Sequence, residues 1–266
     1  MAYWQATHRN VASNCMEKSK SILITATQLF EKYYSRLWSW YGLPGQTLTE
    51  ISVIKIALGH LFSRPIKVFE WGSGLSTIYY SEFLRKKGVD CKWYAVDNDR
   101  VWFQYLSSKV KSCGLNNKVF LNLLTFEPFW KKHGWDWSAK NISGFEPVLQ
   151  QEIEYIQYPN EHFSEPLDVF FVDGRFRRRA LLVAREKLAS DGIVILHDSH
   201  RKHYSSSLHA YPFGLFFDGG PLFPGSKRRS QLWIGALNEA VLSRLKSFCS
   251  KYKMKAMESS ELVLTK

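Results

Sequence analysis

Apolar and polar residues alternate along this chain with two different periods. From Ile22 to Trp40 the apolar positions recur at near-helical spacing, among them Leu29, Phe30, Tyr33, Tyr34, Leu37 and Trp38, until Gly42, Pro44 and Gly45 end the run. This predicts an amphipathic helix whose aromatic face packs on the main domain or serves as a lid, a dimer contact or a membrane-surface patch. A second helix is predicted from Thr49 to Leu61. From Ile66 the chain changes character. Short apolar runs at Ile66–Glu70, Cys91–Val96, Lys118–Leu123, Leu167–Val172 and Gly192–Leu196 read as buried strands. Helical spacing returns between them at Leu75–Phe83, Val101–Val110 and Arg179–Leu188. Leu232–Ala236 and Glu261–Thr265 are candidate closing strands around a helix from Asn238 to Tyr252.

Near-continuous apolar strands joined by helices predict a mostly parallel sheet covered on both faces, and right-handed crossovers make it doubly wound. The fold class is therefore α/β and Rossmann-like, with an N-terminal helical extension over residues 1–62 and the main domain over 63–266. Thr125 to Glu165 interrupts the alternation with a dense set of aromatics (Phe126, Phe129, Trp130, Trp135, Trp137, Phe145) and one helix near Val148–Ile156. This insertion either lines a substrate cleft or packs on the sheet edge.

Composition narrows the class. Of 266 residues, 45% are hydrophobic and 23% charged, with 10 Trp, 13 Tyr and 18 Phe, which excludes a disordered chain. The formal net charge of +12 favours anionic partners such as RNA, acidic glycans or phosphorylated substrates. Cys15, Cys91, Cys113 and Cys249 are scattered without a Cys-x-x-Cys pair, so free thiols in a reducing compartment are expected. The apolar stretch Ser21–Phe30 is short and broken by Thr25, Thr27 and Gln28, so neither a signal peptide nor a membrane span is expected, and the protein reads as cytoplasmic.

In a doubly wound sheet, ligands bind outside the carboxyl ends of the strands. Four strand ends carry chemistry: Glu70-Trp71-Gly72-Ser73-Gly74, Asp97, Asp173, and His197-Asp198-Ser199-His200. Glycines let the backbone turn sharply and approach a ligand, and the helix that follows offers free N–H groups to a carboxylate or phosphate, with Ser76 and Thr77 placed to cap or contact it. Asp97 lies a little beyond the offset of about 20 residues at which an acid reaches ribose hydroxyls. Thr77 stands where the dinucleotide fingerprint has its third glycine, which favours a mononucleoside ligand over NAD.

Val68-Phe69-Glu70-Trp71-Gly72-Ser73-Gly74 followed by Asp97 resembles the glycine-rich motif and ribose-binding acid of class I S-adenosylmethionine-dependent methyltransferases. Phe170-Phe171-Val172-Asp173-Gly174-Arg175 and Gly192-Ile193-Val194-Ile195-Leu196-His197-Asp198-Ser199 are similar to the fourth and fifth strand ends of that superfamily, especially in its small-molecule and sugar O-methyltransferases. The resemblance spans Ile66 to Ala236. It implies S-adenosyl-L-methionine as cofactor, with Glu70, Gly72 and Gly74 holding the methionine part, Ser73 and Ser76 also at the cofactor, Asp97 on the ribose, and the adenine near Leu124 and Thr125. Cation-dependent members hold Mg²⁺ with acids at the positions of Asp173 and Asp198, although Ser199 stands where they often carry Asn or Asp.

Methyl transfer needs an aligned acceptor and a group that takes its proton. Asp173, His197, Asp198 and His200 are the candidate catalytic residues, the imidazoles because their ordinary pKa lies nearest neutrality. Equally consistent with the sequence, the two acids cap the helices that follow them. Arg175, Arg177, Arg178 and Arg179, with Arg201, Lys202 and Lys227–Arg229, form either a solvated face or a basic rim for an anionic acceptor. The expected reaction is O-methylation of a sugar, glycan or other small-molecule hydroxyl. The rivals are an RNA methyltransferase, for which no RNA-binding motif is present, and a non-catalytic nucleoside-binding scaffold.

Overall fold

The computed structural model describes residues 42–126, 150–221 and 229–259. The helix predicted at Ile22–Trp40, the aromatic centre of the insertion and the strand predicted at Glu261–Thr265 lie outside these residues. The chain divides into a unit ending at Gly45 and a second unit from Gln46 to Lys266. Helix α1 (Leu48–His60) belongs to the second unit. Val53, Ile54, Ala57 and Leu58 of α1 are fully buried in the core.

The elements follow as β1 (Ile66–Trp71), α2 (Leu75–Lys86), β2 (Cys91–Asp97), α3 (Arg100–Ser112), β3 (Val119–Leu123), α4 (Gln150–His162), β4 (Leu167–Val172), α5 (Arg177–Lys187) and β5 (Leu188–Leu196). After a 3₁₀ turn at Lys202–Tyr204 and the one-turn helix α6 (Ser205–Leu208) come β6 (Phe213–Pro221), β7 (Arg229–Ala236), α7 (Glu239–Lys251) and β8 (Ala256–Glu258). One sheet runs in the order β3-β2-β1-β4-β5-β7-β6-β8. Its first five strands are parallel, and β7, β6 and β8 join antiparallel. This mostly parallel sheet with alternating helices and a C-terminal antiparallel hairpin is a Rossmann-like fold.

The apolar runs form strands because both faces are covered. One face carries α1, α2 and α7 over a core that includes Val68, Trp93 and Phe171. The other carries α4 and α5 over Phe69, Trp71, Phe170 and Trp233. Strand β6 and the late strand β8 are not foreseen by the residue pattern. In β6, Gly214, Asp218, Gly219, Gly220 and Pro221 dilute the apolar run Leu215–Phe217, and a register shift between Asp218 and Gly220 breaks the period of two.

The reversal in strand order falls between β1 and β4, where two backbones touch. Gly72 has φ +84°, and a Cβ there would lie 2.4 Å from Gly174 Cα; a Cβ on Gly174 would lie 2.2 Å from the Tyr155 hydroxyl and 2.6 Å from Gly72 N. The Gly72 N–H donates to Val96 O at 2.9 Å and the Asp173 N–H to Trp71 O at 3.1 Å, which ties the ends of β2, β1 and β4 together. Replacing Gly174 with Ala therefore pushes backbone against backbone. The expected result is a loss of about 1–3 kcal/mol in urea-induced unfolding; an unchanged midpoint would mean that the contact is slack.

Candidate active site

The glycine turn is built around a buried carboxylate. Glu70 is fully buried at the end of β1 and accepts hydrogen bonds from Ser76 Oγ and Thr77 Oγ1, both at 2.6 Å, and from the Trp93 indole N–H at 2.8 Å. Thr77 Oγ1 in turn accepts from the Gly74 N–H at 3.0 Å. Glu70 and Ser76, expected at the cofactor, thus point into the protein and shape the turn from behind. Burial pushes the Glu70 carboxyl up to about 7 despite its three donors.

Asp97 closes β2 beside that turn. Its Oδ2 accepts from Ser73 Oγ at 3.0 Å and its Oδ1 from the Asp99 N–H at 2.9 Å, and burial raises its pKa. The Asn98 backbone also bonds this carboxylate, and of its roughly four lone-pair positions one remains for a ribose hydroxyl. Asp99 caps α3 by accepting from the Trp102 N–H, and the Trp102 indole N–H donates to Ser73 O at 2.8 Å. Trp102 is a component of the turn that the residue pattern does not single out, although an N-cap acid followed by an aromatic at the third position is its visible signal. Thr125 is exposed just past β3, where the Leu124 N–H donates to Asp97 O at 2.9 Å. These residues fit S-adenosylmethionine: a glycine turn no side chain could fill, the start of α2, and an acid on the neighbouring strand.

The ends of β4 and β5 form a charged cluster. Asp173 Oδ1 lies 3.1 Å from His197 Nδ1 and 2.9 Å from Arg177 Nη2. Arg177 also donates to three backbone carbonyls, Gly174 O, Asp173 O and His197 O, and so clasps the two strand ends. His197 Nε2 lies 3.7 Å from Glu50 Oε2 and 4.0 Å from Asp198 Oδ1. Asp198 adopts φ +55° and is bonded by Arg201 at 3.1 Å. Burial opposes charge on both partners of the first pair. Even so, the two neighbouring acids hold His197 well above the ordinary imidazole range, and His197 and Arg177 hold Asp173 below the ordinary carboxylate range.

Two expectations change here. The acids on either side of His197 favour its charged form, which suits it to hold Asp173 rather than to take a proton, and His200 is exposed, outside the buried cluster. Asp173 and Asp198 do not fit a divalent ion: each is paired with arginine, and among the described residues no three His, Cys, Asp or Glu side chains are arranged to hold a metal. The basic residues divide. Arg177 is an internal clasp, Arg229 pairs with Asp218, and Arg175, Arg201 and Lys202 are exposed; Lys227 and Arg228 lie outside the described residues. Burial and the charges of Arg201, Arg178 and Arg177 push His203 down to about 4, the mark of a positive field. Glu50, missed by the residue pattern, sits in the first turn of α1, far from any strand end in sequence.

No family model matches the chain, and no curated protein matches its sequence. Among solved structures, it is similar to an O-methyltransferase from Bacillus cereus in complex with S-adenosylhomocysteine (12% identity, 77% of this chain and 89% of that chain, TM-score 0.48). It is also similar to a spermidine synthase from Thermotoga maritima (13%, 71% and 59%, TM-score 0.44). A third is a SAM-dependent methyltransferase from Thiobacillus denitrificans bound to S-adenosyl-L-homocysteine (12%, 57% and 49%, TM-score 0.36). The chain spans about half the length of the last protein and under two thirds of the synthase. No helix among the described residues is long and apolar enough to cross a membrane.

The raised Glu70 pKa has a signed consequence. The fold favours the protonated acid, so this group contributes most stability below its unfolded value near 4.5 and loses it as pH rises through about 7. Urea unfolding of wild type and Glu70→Gln across this range should show wild type losing roughly 3 kcal/mol relative to the variant. A pH-independent difference would place the carboxylate outside the buried network.

Proposed function

We propose that this chain transfers a methyl group from S-adenosylmethionine to a hydroxyl oxygen of a sugar, glycan or other small molecule. The observation that carries the reading is the placement of the glycine turn, Asp97 and Asp173 on adjacent strand ends, with Asp173 keeping 27% of its side chain accessible while Glu50 and His197 are enclosed. Bound cofactor supplies a methyl group already activated on its sulfonium centre. The chain's own residues then have two tasks. Gly72, Ser73 and Gly74 shape the turn that receives one ligand, and Asp97 accepts from a ribose hydroxyl. Asp173 receives the acceptor.

Asp173 Oδ1 faces His197 and Arg177, and in this reading Oδ2 is the atom that meets the acceptor O–H. A carboxylate held low is a weak base, yet the hydroxyl grows more acidic as its oxygen is alkylated, so Asp173 Oδ2 accepts the proton at that stage. Exposed Arg175, Arg201 and Lys202 favour an acceptor with a carboxylate or phosphate. RNA is the second reading, favoured by the net charge of +12 and by the exposed Trp102 stacked on Tyr105 at 5.2 Å.

Radiolabelled methyl transfer to panels of sugar, phenolic and RNA acceptors tests this. Transfer to a discrete small-molecule hydroxyl is expected, unaffected by EDTA. Asp173→Asn should lower kcat by about 10²–10⁴-fold. Label passing only to RNA, with steep salt dependence, would establish the second reading instead. Cofactor binding with no transfer to any acceptor would leave a nucleoside-binding scaffold.

A further inference from the structure

Glu50 is fully buried in the first turn of α1, an unusual place for a carboxylate, and among the described residues its ion-pair partner is neither arginine nor lysine. It serves a capping box: the Thr47 N–H donates to Oε2 at 2.8 Å and Thr47 Oγ1 accepts from the Glu50 N–H. Yet an exposed glutamate would cap equally well, so the cap does not explain the burial. Two other contacts do. Ser230 Oγ on β7 donates to Oε1 at 2.5 Å, and Oε2 stands 3.7 Å from His197 Nε2, a nitrogen with no hydrogen-bond partner among the described residues. The cation that offsets Glu50 is therefore His197, whose Nδ1 faces Asp173.

We infer that Glu50 is a positioning residue of the strand-end site: it anchors His197 from behind, so that the imidazolium fixes Asp173 with its free oxygen toward the ligand. The inference rests on the reading of Asp173 as the acceptor-facing group. The chain of contacts runs from Ser230 and Thr47 through Glu50 and His197 to Asp173, which Arg177 holds from the other side. Asp198 also faces His197, and the clasp of Arg177 lands on the His197 carbonyl. A carboxylate on each side of the ring keeps it charged and both its nitrogens oriented. The anchor lets α1, outside the β-α units, set the geometry at the strand ends.

The test is an NMR titration of the imidazole of His197, assigned by its loss in His197→Gln, in the wild type and in Glu50→Gln. Glutamine is the other residue that closes a capping box at this position, so the substitution removes the charge and leaves the helix start intact. Wild-type His197 should remain an imidazolium above the ordinary value of about 6.5. In Glu50→Gln the midpoint should fall by at least tenfold in proton affinity, and methyl transfer should lose its neutral-pH plateau while affinity for S-adenosylhomocysteine stays within about threefold. Glu50→Asp, which keeps the charge but withdraws it by one methylene, should shift the midpoint less and in the same direction, and it reads the same linkage if the glutamine variant fails to fold. A wild-type midpoint at or below the ordinary value, or one that neither substitution moves, overturns the inference. Absence of methyl transfer in the wild type would sink the functional reading alone, because the titration reads His197 directly.

Discussion

Two glycines from distant parts of the chain meet with no side chain between them, and the strand ends take their places around that contact. Gly72 and Gly174 bring the turn after β1 against the turn after β4, so that Asp97, the glycine loop and Asp173 stand on one edge of the sheet. A β-carbon at either position would drive these backbones apart by more than side-chain rearrangement can absorb. Close approach of backbone to backbone is also what leaves a concave edge for a ligand, since the reversal of strand order opens a crevice at that point. The constraint is thus shared by fold and site.

The polar groups behind this edge are organised in layers. Glu70 holds the glycine loop through Ser76, Thr77 and Trp93, and Arg177 holds the ends of β4 and β5 through three carbonyls. Neither makes its main contacts toward solvent. Charges in the second group alternate in sign, from Glu50 to His197 to Asp173 to Arg177, so each is offset by a neighbour and none is buried alone. Such an arrangement adds little net stability but fixes orientation, which is what transfer between two bound molecules requires.

What the sequence makes legible is what depends on local pattern. The buried runs Ile66–Trp71, Cys91–Asp97 and Leu167–Val172 show as strands because apolar residues fill both faces, and the acids and glycines that follow mark their ends. Gly72, Ser73, Gly74, Asp97 and Asp173 are placed at strand ends in this way. The roles of Glu70 and Ser76 are not, because the side to which a strand-end carboxylate turns depends on Trp93, one strand away. Glu50 is invisible for the same reason on a larger scale: its contact with Ser230 spans 180 residues, and locally it is only the third residue of a capping box. His197 and His200 look alike along the chain, yet one is clamped by acids and the other exposed. Strand β6 escapes because its glycines and Pro221 imitate a loop, while its pairing with β7 is long-range.

Whether this edge binds an adenosyl cofactor is read most directly by calorimetric titration with S-adenosylmethionine and S-adenosylhomocysteine, comparing wild type with Gly72→Arg and Asp97→Ala. An adenosyl site here should show binding of about micromolar Kd in the wild type, loss in Gly72→Arg, and weakening of at least tenfold in Asp97→Ala as a charged acceptor of a ribose hydroxyl is removed. Folded wild-type protein that binds neither compound, or an Asp97→Ala variant that binds as tightly as wild type, would contradict it.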